Sequence, residues 1–294
     1  MQELEVLLDK LQTFKKMYQA MRIVDPIEKK VLDFRENKLC ETGVACYKFW
    51  QKQHLCENCV SMRAFNENDT IFKIECSGDE VYMLTAVPVA IEDRQLVVEL
   101  LKNTTNNLFW GNGKHDEGIK LFTMIDQINQ AAVRDSLTGL YNRRYIDERL
   151  PVDILNSSLK HQPLSIVFAD LDYFKKINDT YGHSSGDLVL KEFAKELKRH
   201  IRREKDWTAR YGGEEFFICL PNTSLEAAKK VAERIRSSIE KKEFVVDGKP
   251  VHITCSFGVY TACNENECMT VDSIIELVDR QLYKAKSHGR NRIE

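Results

Sequence analysis

The hydrophobic positions change their period several times along the chain, and each change marks an element. Over residues 1–22, Leu4, Leu7, Leu8, Leu11, Phe14, Tyr18 and Met21 recur at steps of three and four, with Lys10, Lys15, Lys16 and Gln19 between them. That spacing predicts an amphipathic helix, ended by Asp25-Pro26. The pattern then turns strand-like: Met21–Val24 and Lys30–Phe34 read as a short antiparallel pair, followed by a middle section rich in cysteine and aromatics and expected to be helical. Thr70–Cys76, Val81–Ile91 and Gln95–Leu101 read as three further strands, separated by Ser77-Gly78-Asp79 and Glu92-Asp93-Arg94. Residues 23–106 thus form a small α+β module.

Residues 107–134 form a connection. Gly111-Asn112-Gly113 breaks regular structure, and a helix is expected from Asp116 with Leu121, Ile125, Ile128 and Ala132 along one seam. Such a seam suits either pairing with a second subunit or packing on its own domain. Residues 135–294 hold apolar β runs such as Leu164–Phe168 and Phe216–Leu220 and form a second domain. A chain of 294 residues accommodates both domains.

Composition narrows the function classes. With 43% hydrophobic and 30% charged residues the chain is an ordinary globular one, and its net charge of −2 gives no bulk reason to bind nucleic acid or an anionic membrane. The longest nearly apolar run, Val81–Ile91, is too short to span a bilayer, and the N-terminus lacks a signal-peptide pattern. A cytoplasmic location is therefore expected, and nine cysteines there point to metal or redox chemistry rather than structural disulfides. Cys56-Glu57-Asn58-Cys59 has the spacing that lets two thiolates grip one ion, with Cys46, Cys40 or His54 to complete a zinc or iron–sulfur shell. A dithiol switch and plain core packing remain open for the same residues. Cys263 and Cys268 flank a polar loop.

The order of strands and helical middle over residues 20–106 resembles a PAS-type sensor domain. Its closing Leu100-Leu101-Lys102-Asn103-Thr104-Thr105 adds to the likeness, although Asp-Val-Thr is more usual there.

The strongest chemical signal is Arg210-Tyr211-Gly212-Gly213-Glu214-Glu215-Phe216-Phe217. Two glycines between the apolar runs Trp207–Tyr211 and Phe216–Leu220 predict a hairpin, with Glu214 and Glu215 at its tip. Bare glycines there would let a bulky ligand approach the backbone, and the carboxylates could hold a hard divalent cation. An exposed acidic turn is the plainer reading. Leu164–Phe168 is a β run leading to Asp170, a second carboxylate that either joins the cation or caps the following helix.

Five motifs in order decide between these. Asp135-Ser136-Leu137-Thr138-Gly139-Leu140-Tyr141-Asn142-Arg143-Arg144, Phe168-Ala169-Asp170-Leu171-Asp172-Tyr173-Phe174-Lys175-Lys176-Ile177-Asn178-Asp179, Tyr181-Gly182-His183-Ser184-Ser185-Gly186-Asp187, the hairpin, and Asp279–Asn291 together resemble GGDEF-type diguanylate cyclases over residues 135–294. The resemblance implies an α/β domain with a ferredoxin-like core, a mixed central sheet and helices on both faces. It implies Mg²⁺ (or Mn²⁺) held by Asp170, the Leu171 carbonyl, Glu214 and Glu215. Asn178 and Asp187 would read guanine, Lys175 would stabilise phosphate charge, and Lys286 and Arg290 would hold phosphates near the open backbone of Gly212 and Gly213. Glu214 would be the base. The implied reaction joins two GTP molecules into cyclic di-GMP between two domains, so a homodimer is expected. Arg203-Glu204-Lys205-Asp206 resembles the family's inhibitory product site, with Arg234 assisting. The hairpin departs from the family name only in Glu214, which stands where aspartate gives the motif its letter.

Overall fold

The computed structural model describes residues 17–35, 38–91, 93–105, 115–246, 248–262 and 270–294. It divides into two compact units, Met1–Ala132 and Val133–Glu294. Among the described residues no helix is long and apolar enough to cross a membrane.

The first unit is built on a six-stranded sheet. Strands β1 (Ala20–Asp25), β2 (Lys30–Arg35), β3 (Lys38–Ala45), β4 (Ile71–Ser77), β5 (Glu80–Ile91) and β6 (Arg94–Asn103) lie in the order β3-β2-β1-β6-β5-β4, with every neighbour antiparallel. A 3-10 turn at Cys46–Trp50 and helix α1 (Val60–Glu67) fill the stretch between β3 and β4. Two expectations are corrected. The expected first helix, running to residue 22, overlaps the strand expected at Met21–Val24, and the strand prevails from Ala20: Arg22 stands opposite Glu99 on β6, and a buried ion pair joins them. That pair is formed only by cross-strand pairing, which outweighs the helical spacing of two terminal residues. Residues 1–16 of that expected helix lie outside the described residues, as do Gly111-Asn112-Gly113, Cys263 and Cys268. The cysteine-bearing middle is also not wholly helical, since Cys40 lies in β3 opposite Asp33.

The expected zinc or iron–sulfur shell is likewise overturned. Among the described residues no group of three or more His, Cys, Asp or Glu side chains could hold a metal ion. His54 is exposed, with its ring bonded to the carbonyl of Leu55. At Cys59 a cation is already present, since the Lys29 ammonium lies 3.4 Å from the sulfur.

Helix α2 (His115–Val133) closes the unit in sequence. Along its expected seam Ile125 is buried, at 5% exposed, whereas Ile128 is 64% exposed in the single chain. The side chain of Leu121 lies outside the described residues.

The second unit runs α3 (Arg143–Leu159), β7 (Leu164–Leu171), α4 (Phe174–Tyr181), α5 (His183–His200), β8 (Trp207–Gly212), β9 (Glu215–Pro221), α6 (Leu225–Lys241), a small hairpin of β10 (Glu243–Val246) and β11 (Lys249–His252), β12 (Cys255–Ala262) and α7 (Val271–Ser287). Its sheet order is β12-β7-β9-β8, the β-α-β-β-α-β arrangement of a ferredoxin-like core. The mixed sheet is corrected: all three ladders are antiparallel, and the parallel contacts are the single bridges Tyr141–Ala209 and Phe257–Ile293.

Apolar residues on both sides explain why β7 is central and wholly buried. One face carries Val167, Ala169 and Leu171 against α4, α5 and α6, and the other carries Leu164, Ile166 and Phe168 against α3 and α7. Each fully buried phenylalanine among Phe168, Phe193, Phe216, Phe217 and Phe257 contributes roughly 1.5–3 kcal/mol of burial. Helix α7 starts with a Thr270–Ser273 capping box and packs directly on β12 at Gly258. A Cβ there would lie 2.3 Å from the Leu282 nitrogen and 2.4 Å from the Val278 carbonyl oxygen. This close approach fixes the helix that carries Lys286. Gly258→Ala is expected to destabilise the protein by about 1–3 kcal/mol, read as a lower urea midpoint; an unchanged midpoint would show that α7 yields freely.

Candidate active site

The site is assembled where the C-terminal end of β7 meets the β8–β9 hairpin. Antiparallel register places Asp170 opposite Glu215 on one side and Ser256 of β12 on the other. The tip of the hairpin is Gly213-Glu214, with Gly213 at φ +50°, a conformation that glycine adopts without the Cβ penalty. Around Gly212 and Gly213 a Cβ would meet nothing within 4 Å, so the backbone is open to a ligand. The Leu171 N–H points to the Glu214 carbonyl at 3.4 Å, closing the strand end onto the tip.

The hairpin is held from behind. Arg210 donates from Nε to the Gly213 carbonyl at 2.8 Å and reaches Asp135 at 3.3 Å. Asp135 also accepts from the Thr138 N–H at 2.9 Å and hydroxyl at 2.6 Å, the turn that the first motif forms. Although burial pushes the Asp135 carboxyl upward, those donors and Arg210 hold it below the usual carboxylate range. The first motif and the hairpin motif thus meet through one ion pair.

Electrostatics mark the site more sharply. Asp170 is 5% exposed, and burial pushes its carboxyl up to about 6. The Lys286 ammonium, 2.7 Å from its Oδ2, opposes that rise, while Glu214 and Glu215 add to it. Burial also raises Glu215, with Lys286 again opposing and Asp279 and Glu214 reinforcing. Three crowded carboxylates face one ammonium, a field that favours a further cation. The donors are all oxygen, as a hard divalent ion requires. Two side-chain carboxylates and a carbonyl suit Mg²⁺, which keeps water and phosphate ligands, better than a closed protein cage. Among the described residues no three such side chains are grouped as a ready metal shell, here as in the first unit; Asp170, Glu214 and the Leu171 carbonyl supply the kind of oxygen donors such an ion takes.

Of the other predicted residues, Lys286 alone has a described contact with these carboxylates. Lys175 is exposed on the first turn of α4. Asn178 packs against the start of α5 at Gly186, next in sequence to Asp187, where a Cβ would lie 1.9 Å from Asn178 Oδ1. Lys286 and Arg290 are both engaged: Lys286 with Asp170, and Arg290 stacked on the Tyr173 ring at 4.6 Å.

The predicted product site is less open than its sequence suggests. Arg203 and Arg234 are exposed, but Asp206 is 8% exposed and both its carboxylate oxygens bind the Arg202 guanidinium. Arg202 also donates its backbone N–H to Asp206 at 2.8 Å, so the neighbouring arginine, not Arg203, holds that carboxylate.

Asp172, which by sequence repeats Asp170 so that one aspartate could cap the following helix while the other binds metal, has a different part. It is 4% exposed and accepts from Thr254 Oγ1 at 2.7 Å, Ser256 Oγ at 2.7 Å and the Asn291 N–H at 3.1 Å. Asn291 is gripped further by Arg236 and Glu240. Gly289, Arg290 and Asn291 all have positive φ, so Asp172 ties a strained left-handed turn, carrying Arg290, to the end of β7. The visible signal was the second aspartate at i+2, just past the end of β7.

The family profile described as "Diguanylate cyclase, GGDEF domain" matches residues 132–292. The chain belongs to the GGDEF diguanylate cyclase family. Diguanylate cyclase A of Treponema denticola is 45% identical over 170 residues, covering 57% of this chain and 45% of that protein. Diguanylate cyclase DgcP of Pseudomonas aeruginosa is 40% identical over 183 residues, covering 62% and 27%. This GGDEF chain thus spans less than half the length of these curated relatives. Among solved structures, the coiled coil and GGDEF domain of DgcB from Caulobacter crescentus, in complex with c-di-GMP, is similar with a TM-score of 0.56 and 28% identity, covering 60% of this chain and 93% of that one.

The Lys286–Asp170 contact makes a testable statement about charge. Because the folded-state value of Asp170 lies above its usual 3.8, the group's contribution to stability is present at low pH and is lost between 3.8 and about 6. Lys286→Met is expected to move the Asp170 midpoint above 6, measured by carboxyl NMR titration. An unmoved midpoint would remove Lys286 as the counter-ion.

Proposed function

We propose that the chain condenses two GTP molecules into cyclic di-GMP with release of two diphosphates, under the control of its N-terminal unit. The observation that carries this reading is the apposition of a buried Asp170 with the half-buried Glu214 and Glu215, mutually repelling, beside an open Gly212-Gly213 backbone. Asp170, Glu214 and the Leu171 carbonyl would hold Mg²⁺ or Mn²⁺, which when bound polarises the attacking hydroxyl and the phosphate. The chain's own residues do the rest. Glu214, at the tip, takes the proton of the 3′-hydroxyl that attacks the α-phosphate of a second GTP. Asn178 and Asp187 offer an amide and a carboxylate to the O6, N1 and N2 edge of guanine. Lys175 and Arg290 stabilise phosphate charge, and Lys286 exchanges between Asp170 and phosphate oxygens. Intact acidic and basic groups argue against a catalytically silent nucleotide receptor.

Each domain holds one GTP, so two must face each other, and a homodimer follows from the chemistry. The strand order β2-β1-β6-β5-β4, with α1 and the 3-10 turn between β3 and β4, supports a PAS-like sensor, extended by the additional edge strand β3. Arg203, Asp206 and Arg234 are the proposed feedback site for product, at which Asp206 exchanges its bonds to Arg202 for guanine N–H groups.

Incubating the purified protein with GTP and Mg²⁺ tests the reading. Cyclic di-GMP should form at a rate per molecule that rises with protein concentration. Glu214→Gln should lower kcat by about 10²–10⁴, the contribution of a positioned base. Absence of product at high concentration, even with Arg203→Ala, contradicts the cyclase reading.

A further inference from the structure

Three thiols of the first unit take no part in the chemistry above. Cys46 opens the 3-10 turn, Cys56 lies in the following loop, and Cys59 is the N-cap of α1. Two of them, Cys46 and Cys59, are tied together by Lys29, a residue only 8% exposed. Its carbonyl accepts the Cys46 N–H at 2.9 Å, and its Nζ lies 3.4 Å from the Cys59 sulfur. Arg22 secures the same turn from the sheet, donating from Nη1 to the Cys46 carbonyl at 2.8 Å. The sulfurs interact electrostatically: burial, then Cys59, raises Cys46, and the same causes push Cys56 up to about 11. Cys56 and Cys59 are half-buried and so reachable, whereas Cys46 is buried.

A cysteine that serves only as a small core hydrophobe has no use for an ammonium, and burying a lysine against it is costly. The shell that would make these sulfurs a metal site is absent among the described residues. We propose that Cys59 is an oxidisable thiol, that a hydroperoxide is its oxidant, and that Cys46 or Cys56 resolves it to a disulfide. In the first step the Cys59 sulfur attacks the O–O bond. It is oxidised to the sulfenic acid while the peroxide is reduced to water or an alcohol. In the second, the thiol of Cys46 or Cys56 attacks that sulfur. The S–S bond forms, and hydroxide leaves as water with the proton of the attacking thiol. Two thiols and one hydroperoxide thus give one disulfide, one water and one water or alcohol. Lys29 stabilises negative charge on the attacking sulfur of Cys59.

The test needs only the full-length chain. Fully reduced protein is exposed to hydrogen peroxide for graded times, quenched with an alkylating agent, and mapped by peptide mass spectrometry. Cys59 is expected to be lost about tenfold faster than Cys40 and Cys76, the half-buried thiols of the same unit. It should end in a peptide linked to Cys46 or Cys56. Lys29→Met should slow that loss to the rate of the other thiols, and Cys59→Ser should leave Cys46 and Cys56 unlinked. The comparison within the unaltered protein stands whether or not either variant folds. Equal rates for Cys59, Cys40 and Cys76, or oxidation of Cys59 that stops without a linked partner, overturns the proposal.

Discussion

The guanidinium of Arg210 bridges Asp135 and the carbonyl of Gly213, and the second unit depends on that bridge. A glycine tip has little intrinsic stiffness, since glycine loses more conformational freedom on folding than any other residue. Hydrogen-bonding its carbonyl to a guanidinium that is itself paired removes this freedom at the point where Glu214 and Glu215 begin. The neighbouring backbone reinforces the bridge: Tyr141 donates to the Thr208 carbonyl at 3.2 Å, and Arg210 donates to the Tyr141 carbonyl at 2.8 Å. The first motif of the domain is thus sewn to β8, and through β8 to the tip.

From this fixed hairpin the electrostatics follow. Pairing of β7 with β9 brings Asp170 against Glu215, and burial makes their charges expensive. Lys286 relieves part of that cost from α7, which can stand close enough only because Gly258 has no side chain. Asp172 works on the same principle with neutral donors, fixing the turn that carries Arg290 through Thr254, Ser256 and the Asn291 N–H. Two aspartates two residues apart therefore take different parts: one faces a cation, and the other is consumed by structure.

Much of this was legible in the sequence because it is local. The Gly-Gly step fixed the hairpin, the apolar run before Asp170 fixed β7, and the ordered motifs led to the family. What was not legible depends on partners far along the chain. Asp172 looked like a second helix cap, because its donors stand at Thr254, Ser256 and Asn291. Arg22 fell in both an expected helix and an expected strand, and Glu99 opposite it on β6 decides for the strand. The R-x-x-D pattern pointed to Arg203 and Asp206, yet Arg202, one residue earlier, takes the carboxylate. The C-x-x-C spacing suggested a metal, while the buried ammonium beside Cys59 comes from Lys29, thirty residues upstream. Spacing rules see residue types at set intervals, and each of these outcomes was decided by a partner that the motif does not include.

The central claim is that the Asp135–Arg210 pair immobilises the catalytic tip, and amide hydrogen exchange at Gly212–Glu215 tests it most directly. In Asp135→Ala the account predicts exchange at these amides at least about tenfold faster than in the unaltered protein, equivalent to about 1.4 kcal/mol of local stability. Protection along β7 and α7 should stay unchanged. Equal protection of the tip in both proteins would contradict the claim and leave the hairpin held by its strand pairing alone.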